Sequence, residues 1–164
     1  MSIAGANAVA YSSWGLLATA EVSGGWDGST TATSPAAMVA EILDAKGVGT
    51  EGTDLFYGFQ PDSPDECIAC FEGAGRDANP KWALDFPGVT VIVRSDRGDY
   101  DGGWTLAQGV KDTLLGIDPG ATVRGITMRG DIIALGPDEN ERFEWSLNFA
   151  LTVEPATSGN RTAI

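Results

Sequence analysis

Catalytic chemistry starts from nucleophiles, bases and metal ligands, and this chain is short of most of them. It contains no histidine. That removes Ser-His-Asp and Cys-His nucleophilic catalysis, His-ligated metals and the commonest near-neutral pH switch together. Its two cysteines, Cys67 and Cys70, spell a CxxC. The segment that carries them reads as a strand, where residues three apart point to opposite faces, so the two sulfurs neither share a metal nor pair without distortion. A redox CxxC sits at the start of a helix, whose N-terminus lowers the thiol pKa. With no second cysteine pair and no histidine to complete a zinc site, Cys67 and Cys70 read as ordinary strand cysteines.

Carboxylates are plentiful: 23 Asp and Glu against 10 Lys and Arg, a formal charge of −13. Asp96, Asp99 and Asp101, followed by Gly102-Gly103, hint at a calcium loop. An EF-hand register opened at Asp99 puts Gly103 at the fifth position and Val110 at the twelfth, where carboxylates are required, so a solvated acidic connection is expected instead. Arg97-Gly98-Asp99 reads as a turn. Asp62, Asp65, Asp99 and Asp101 supply carboxylates for a glycosidase-type acid and base, but no spacing selects two of them. There is no GxSxG and no Walker loop. The expectation is a protein that is not an enzyme and that takes no cofactor and no metal. The acidity also repels phosphate backbones, which argues against sequence-specific binding of nucleic acid.

The elements that position these residues follow from local pattern. At 164 residues, the chain suits one domain with a real core, or a domain plus an arm. Residues 1–34 hold five glycines, ten Ser or Thr and no basic residue, yet carry Tyr11, Trp14, Leu16, Leu17, Val22 and Trp26. They read as an arm that docks on its own domain or on a neighbouring subunit, or as a short extra strand pair or flexible tail. Ala18-Thr19-Ala20 mimics a signal-peptidase site, but a basic n-region and a clean apolar stretch are missing, and no run is long enough to span a bilayer. An intracellular soluble chain without a membrane partner is expected.

Ser34-Pro35 opens a helix, with Ser34 as N-cap and Pro35 at its first position, and Gly47 and Gly49 end it. Leu55–Phe59 and Cys67–Glu72 read as short strands, and residues 73–87 as a polar loop. Val89–Arg94 is a β-branched strand. Ser95–Gly103 reads as an acidic connection. A helix over Trp104–Leu115 has one face at Leu106, Val110 and Leu114, with Gly116 placed to stop it. Thr122–Met128 and Asp131–Leu135 read as a hairpin around Arg129-Gly130, with a turn at Gly136–Asn140. Phe143, Trp145, Leu147, Phe149, Leu151 and Val153 then alternate strictly with other residues, a long strand with one face in the core. The fold class is α+β: a mostly antiparallel sheet with two helices packed on one face, plus the N-terminal arm. The chain divides into 1–34, an arm; 35–154, the α+β domain; and 155–164, a Pro/Gly/polar tail.

One stretch is more specific. Asp54-Leu55-Phe56-Tyr57-Gly58-Phe59-Gln60-Pro61-Asp62-Ser63-Pro64-Asp65 leads into Ile68-Ala69-Cys70-Phe71-Glu72-Gly73-Ala74-Gly75. With the preceding helix over 36–48, the β-branched strand ending in Arg94, Leu114-Leu115-Gly116 and the closing strand before Glu154-Pro155, this resembles the tail terminator (minor capsid or tail-completion) proteins of tailed bacteriophages. The resemblance covers about residues 35–164, and the Pro-Asp-x-Pro-Asp loop is its most specific piece.

It implies a non-enzymatic virion protein. Such a protein forms a ring of six at the head-proximal end of the tail tube, stops polymerisation and joins the tail to the head connector. The implied partners are further copies of itself, the tail tube protein and the neck or connector protein, with assembly in the host cytoplasm. DNA passes through without specific binding. Trp14, Trp26, Asp62, Asp65, Asp96, Asp99, Asp101 and Arg161 are the candidate interface residues, taken from the arm, the loops and the tail. The rival readings are a head-completion or neck connector protein, a secreted carbohydrate-binding module built on the five tryptophans, and an enzyme, which as a hydrolase would have to work without histidine.

Overall fold

The computed structural model describes residues 33–118, 120 and 122–154, together with the backbone of two short strands, β1 (Tyr11–Ser12) and β2 (Gly15–Leu16). These two strands form an antiparallel ladder of their own, with Tyr11 opposite Leu16 and Ser12 opposite Gly15. Residues 1–10, 13–14 and 17–32 of the arm, and the 155–164 tail, lie outside the described residues.

Helix α1 (Pro35–Ala45) begins as its sequence dictates: the Ser34 side chain accepts a hydrogen bond from the Ala37 N–H at 3.2 Å, and Pro35 occupies the first turn. After Gly47, at a φ of 72° that suits glycine, the chain turns into β3 (Leu55–Tyr57), which runs parallel to β4 (Cys67–Asn79). β5 (Leu84–Arg97) pairs antiparallel with β4. Helix α2 (Tyr100–Leu115) follows, then β6 (Val123–Met128), β7 (Ile133–Pro137) and β8 (Arg142–Val153). The sheet order is β3-β4-β5-β8-β6, with β7 also on β8. Every pairing in it except β3 with β4 is antiparallel.

The period-two series of β8 does what its pattern requires. Trp145, Leu147, Phe149, Leu151 and Val153 point to the same side as Val89, Val91 and Val93 of β5 and Ile68 and Cys70 of β4, and both helices cover that side. α1 contributes Ala36, Val39, Ala40 and Leu43, and α2 contributes Ala107, Val110 and Leu114, while Leu106 packs at the margin. Thus the two helices share one face of the sheet.

Three local expectations are corrected. Residues 73–87 form no loop: β4 and β5 continue through them as a long hairpin. Its β4 arm is largely exposed, so burial imposes no apolar alternation there, and the strands cross at glycines. A Cβ on Gly88 would stand 2.2 Å from the Ala74 carbonyl oxygen, and one on Gly75 would stand 2.6 Å from that of Phe86. The segments 122–128 and 131–135 form no hairpin with each other. β6 and β7 lie end to end along the same side of β8, with Met128 opposite Phe149 and Ile133 opposite Ser146. Residues 129–132 are an interruption in one broken edge strand rather than a reversal. Finally, Asp101, Gly102 and Gly103 belong to the first turn of α2 and not to a loop.

Candidate functional site

The helix-free face of the sheet is covered at one end by the Pro61-Asp62-Ser63-Pro64-Asp65 loop, and two arginines hold it there. Arg94, on β5, donates from Nε to the carbonyl of Asp65 at 2.8 Å. Its Nη2 donates to the carbonyls of Pro61 at 2.8 Å, Pro64 at 2.6 Å and Asp62 at 3.3 Å. Arg142, at the start of β8, donates from Nη1 to the Asp62 carbonyl at 2.7 Å and the Asp65 carboxylate at 3.1 Å, and from Nη2 to the Asp62 carboxylate at 3.0 Å. It also donates from Nε to Asp138 at 2.7 Å. Arg94 and Arg142 are each only 4% exposed. Two prolines remove backbone donors from the loop, so its carbonyls turn inward to a planar guanidinium that offers a fork of donors.

The electrostatics follow from this geometry. Burial opposes the charge on Arg142, but Asp138, Asp62 and Asp65 outweigh it and hold the guanidinium pKa above its ordinary value. Desolvation pulls the Asp138 carboxyl up, yet its bonds from Arg142 and Asn140 leave it below the usual carboxylate range. Beside the loop, Glu66 is pushed up by burial and then by the charges of Asp96, Asp99 and Asp54. Four separate chain segments therefore bring carboxylates to one end of the sheet: the residues before β3, the 61–66 loop, the β5–α2 junction, and the Asp138–Glu141 turn. The structure does gather five of the candidate residues there, in different roles. Asp62 and Asp65 bind Arg142, and Asp65 also pairs with Arg97 at 3.3 Å. Asp99 is the N-cap of α2, accepting from Gly102 N–H at 2.9 Å. Asp96 and Asp101 are exposed beside it. Trp14, Trp26 and Arg161 lie outside the described residues.

Sequence reasoning singled out the loop and missed its clamp. Arg94 was visible as a charge closing a β-branched strand, whereas no local signal marks Arg142, which bonds residues about eighty positions away. The cysteines behave as strand residues: Cys70 faces the helices, with burial and then Glu72 pushing its thiol pKa up to about 12, and burial raises that of Cys67. Both thiols are free and buried. Among the described residues no group of His, Cys, Asp and Glu is arranged to hold a metal ion, and no helix is long and apolar enough to cross a membrane.

The opposite end of the sheet is unlike this one. There the β4–β5 hairpin projects, with Arg76 lying 3.8 Å over the Phe86 ring and Trp82 at its tip 63% exposed. Along the side, no strand among the described residues lies beyond the broken β6–β7 edge, and Ile133 and Leu135 on it are exposed.

The profile of a family described as bacteriophage tail terminator protein matches residues 42–155. Among solved structures, a chain of the virion of a native gene transfer agent particle is similar at 16% identity and a TM-score of 0.49, over 73% of this chain and 86% of that one. No curated protein matches the chain.

Proposed function

The chain belongs to the bacteriophage tail terminator family, and from that premise we propose that it caps the head-proximal end of a tail tube as a ring. The ring, of six subunits, ends tube polymerisation and joins the tail to the head connector. Membership makes the chain a structural component of the phage tail. A subunit that ends a polymer needs one surface complementary to the last tube ring and a second surface that another tube subunit cannot use. The observation that carries the proposal is the family match over residues 42–155, and the end of the sheet where Asp62, Asp65, Asp96, Asp99 and Asp101 collect supports it by offering an acidic surface to a DNA passage.

In this reading Asp96 and Asp101, with the outer carboxylate oxygen of Asp62, face the DNA passage, where like charge keeps the phosphate backbone from sticking. The β6–β7 edge, unpaired on its outer side among the described residues, suits extension of the sheet by a neighbour. Residues 35–154 form the body, while the 1–34 arm and the 155–164 tail, with Trp14, Trp26 and Arg161, contact neighbouring subunits. Assembly takes place in the host cytoplasm.

Electron microscopy of particles made with this gene alone silenced tests the proposal. Overlong or ragged tubes without heads are expected. Tails of normal length that never join heads would reassign the chain to the connector side of the neck. Intact virions would overturn the reading.

A further inference from the structure

We propose that Trp82 is a knob that inserts into an apolar groove of the next copy of the chain, and that this head-to-tail contact closes the ring; the inference rests on the ring reading above. Trp82 is the most exposed large hydrophobic side chain among the described residues, at 63%. The Asn79 side-chain oxygen ties down the backbone of the turn, accepting from the N–H of Lys81 at 3.0 Å and of Trp82 at 3.3 Å. Lys81 stands beside it, its ammonium 5.3 Å from the indole ring centre.

The groove lies between α1 and the segment joining α2 to β6. Its volume is about 390 Å3, and its walls include Met38, Ile42 and Ala45 on one side and Ile117 and Val123 on the other. Glu41, Asp118 and Lys46 also line it, so its charged groups are two carboxylates and one ammonium. An occupant should therefore be a large apolar group that carries a cation next to it. Lys81-Trp82 has that chemistry, and the carboxylates also offer an acceptor to the indole N–H, which needs one when buried. Trp82 does not line the groove of its own chain. A knob and a hole at different places on one subunit make a heterologous contact, which propagates in one direction and ends only when a ring closes.

The test uses the full chain with Lys81→Cys and Ala45→Cys, which keep Trp82 in place, and a short bis-maleimide; the wild type, whose two thiols are buried, is the control. Coexpressed single variants should give covalent dimers, and the double variant a ladder that stops at the ring size. Trp82→Ala should raise the concentration needed for ring formation at least tenfold, while Trp82→Phe keeps most of it. Lys81→Glu should weaken assembly, and Glu41→Lys should restore it. Rings that form normally while the thiols introduced at positions 81 and 45 never link overturn the contact and leave the ring reading standing. In a chain that also carries Ser23→Cys, a link between positions 45 and 23 with position 81 unreactive overturns it too, by giving the groove to the chain's own N-terminal segment. A wild type that remains monomeric with and without tail tubes overturns both.

Discussion

Gly103 lies directly against Trp145: a Cβ added to the glycine would stand 2.2 Å from Cζ3 and 2.4 Å from Cη2 of the indole, and 2.6 Å from Cβ of Ser95. Trp145 is fully buried, so α2 approaches the sheet at this point only because residue 103 has no side chain. Gly103→Ala gains about 1 kcal/mol of helix propensity. The clash with a large ring that cannot move aside outweighs it, and overpacking of this kind costs about 1–3 kcal/mol. Thermal or urea unfolding should show a net loss of stability; an unchanged or raised midpoint would contradict the packing described.

Arg142 joins the 61–65 loop to the Asp138 turn through charge-assisted bonds. Arg142→Met keeps most of the stem but takes the guanidinium from the Asp62 carbonyl, which retains only Arg94 at 3.3 Å, and from Asp138 Oδ2, while Asp138 Oδ1 keeps the backbone N–H groups of Asn140 and of position 142. Bonds to charged groups are worth about 1.5–3 kcal/mol. The loss should fall toward the lower end of that range, because Asp62 is 90% exposed and water replaces part of what it loses. Limited proteolysis should cut the 61–65 loop faster in the variant. Arg142→Lys should recover little, since an ammonium cannot fork between the loop and the turn.

Glu66 has a raised pKa because burial and three neighbouring aspartates disfavour its charge. A carboxyl whose folded pKa exceeds its unfolded value favours folding while it is protonated, and that advantage is lost as pH rises through the folded pKa. Glu66→Gln should therefore raise the melting temperature at pH 7. The gain should shrink as pH falls through the carboxylate range, and added salt should shrink it at neutral pH by screening the aspartates. A melting temperature lower than wild type at pH 7 would refute this.

Asp138 shows the opposite sign. Its pKa is lowered in the folded state, so its contribution is complete above the unfolded carboxylate pKa and is lost as pH falls through the lower folded value. The Asp138→Asn variant should be less stable than wild type at pH 7, and the two melting curves should converge in strong acid. Parallel loss at every pH would remove the ion pair with Arg142 as the cause.

Neutralising the exposed acids tests the passage. Asp96→Asn with Asp101→Asn should leave the fold intact, because neither carboxylate is the cap of α2, a task that falls to Asp99. At low salt the double variant should retain DNA that the wild type releases, and the difference should fade as salt rises. Equal release by both proteins would take these two residues out of the passage.

How much of this was legible in the sequence depended on how local each signal was. The Ser34-Pro35 start of α1, the buried stripe of α2 and the alternating face of β8 are set by residues within a few positions of one another, so periodicity and capping rules located them. The same holds for the absence of histidine and for the excess of carboxylates, which limited the chemistry before any fold was known. The β4–β5 hairpin beyond the core was hidden because solvent on its surface erases the alternation that marks a buried strand. The end-to-end placement of β6 and β7 was hidden because a short interruption and a hairpin turn leave similar residues behind; only pairing along β8 distinguishes them. The clamp was hidden for a third reason. Arg94 and Arg142 bond carbonyls and carboxylates about thirty and eighty residues away, and such partners meet only once the sheet has brought its strands together.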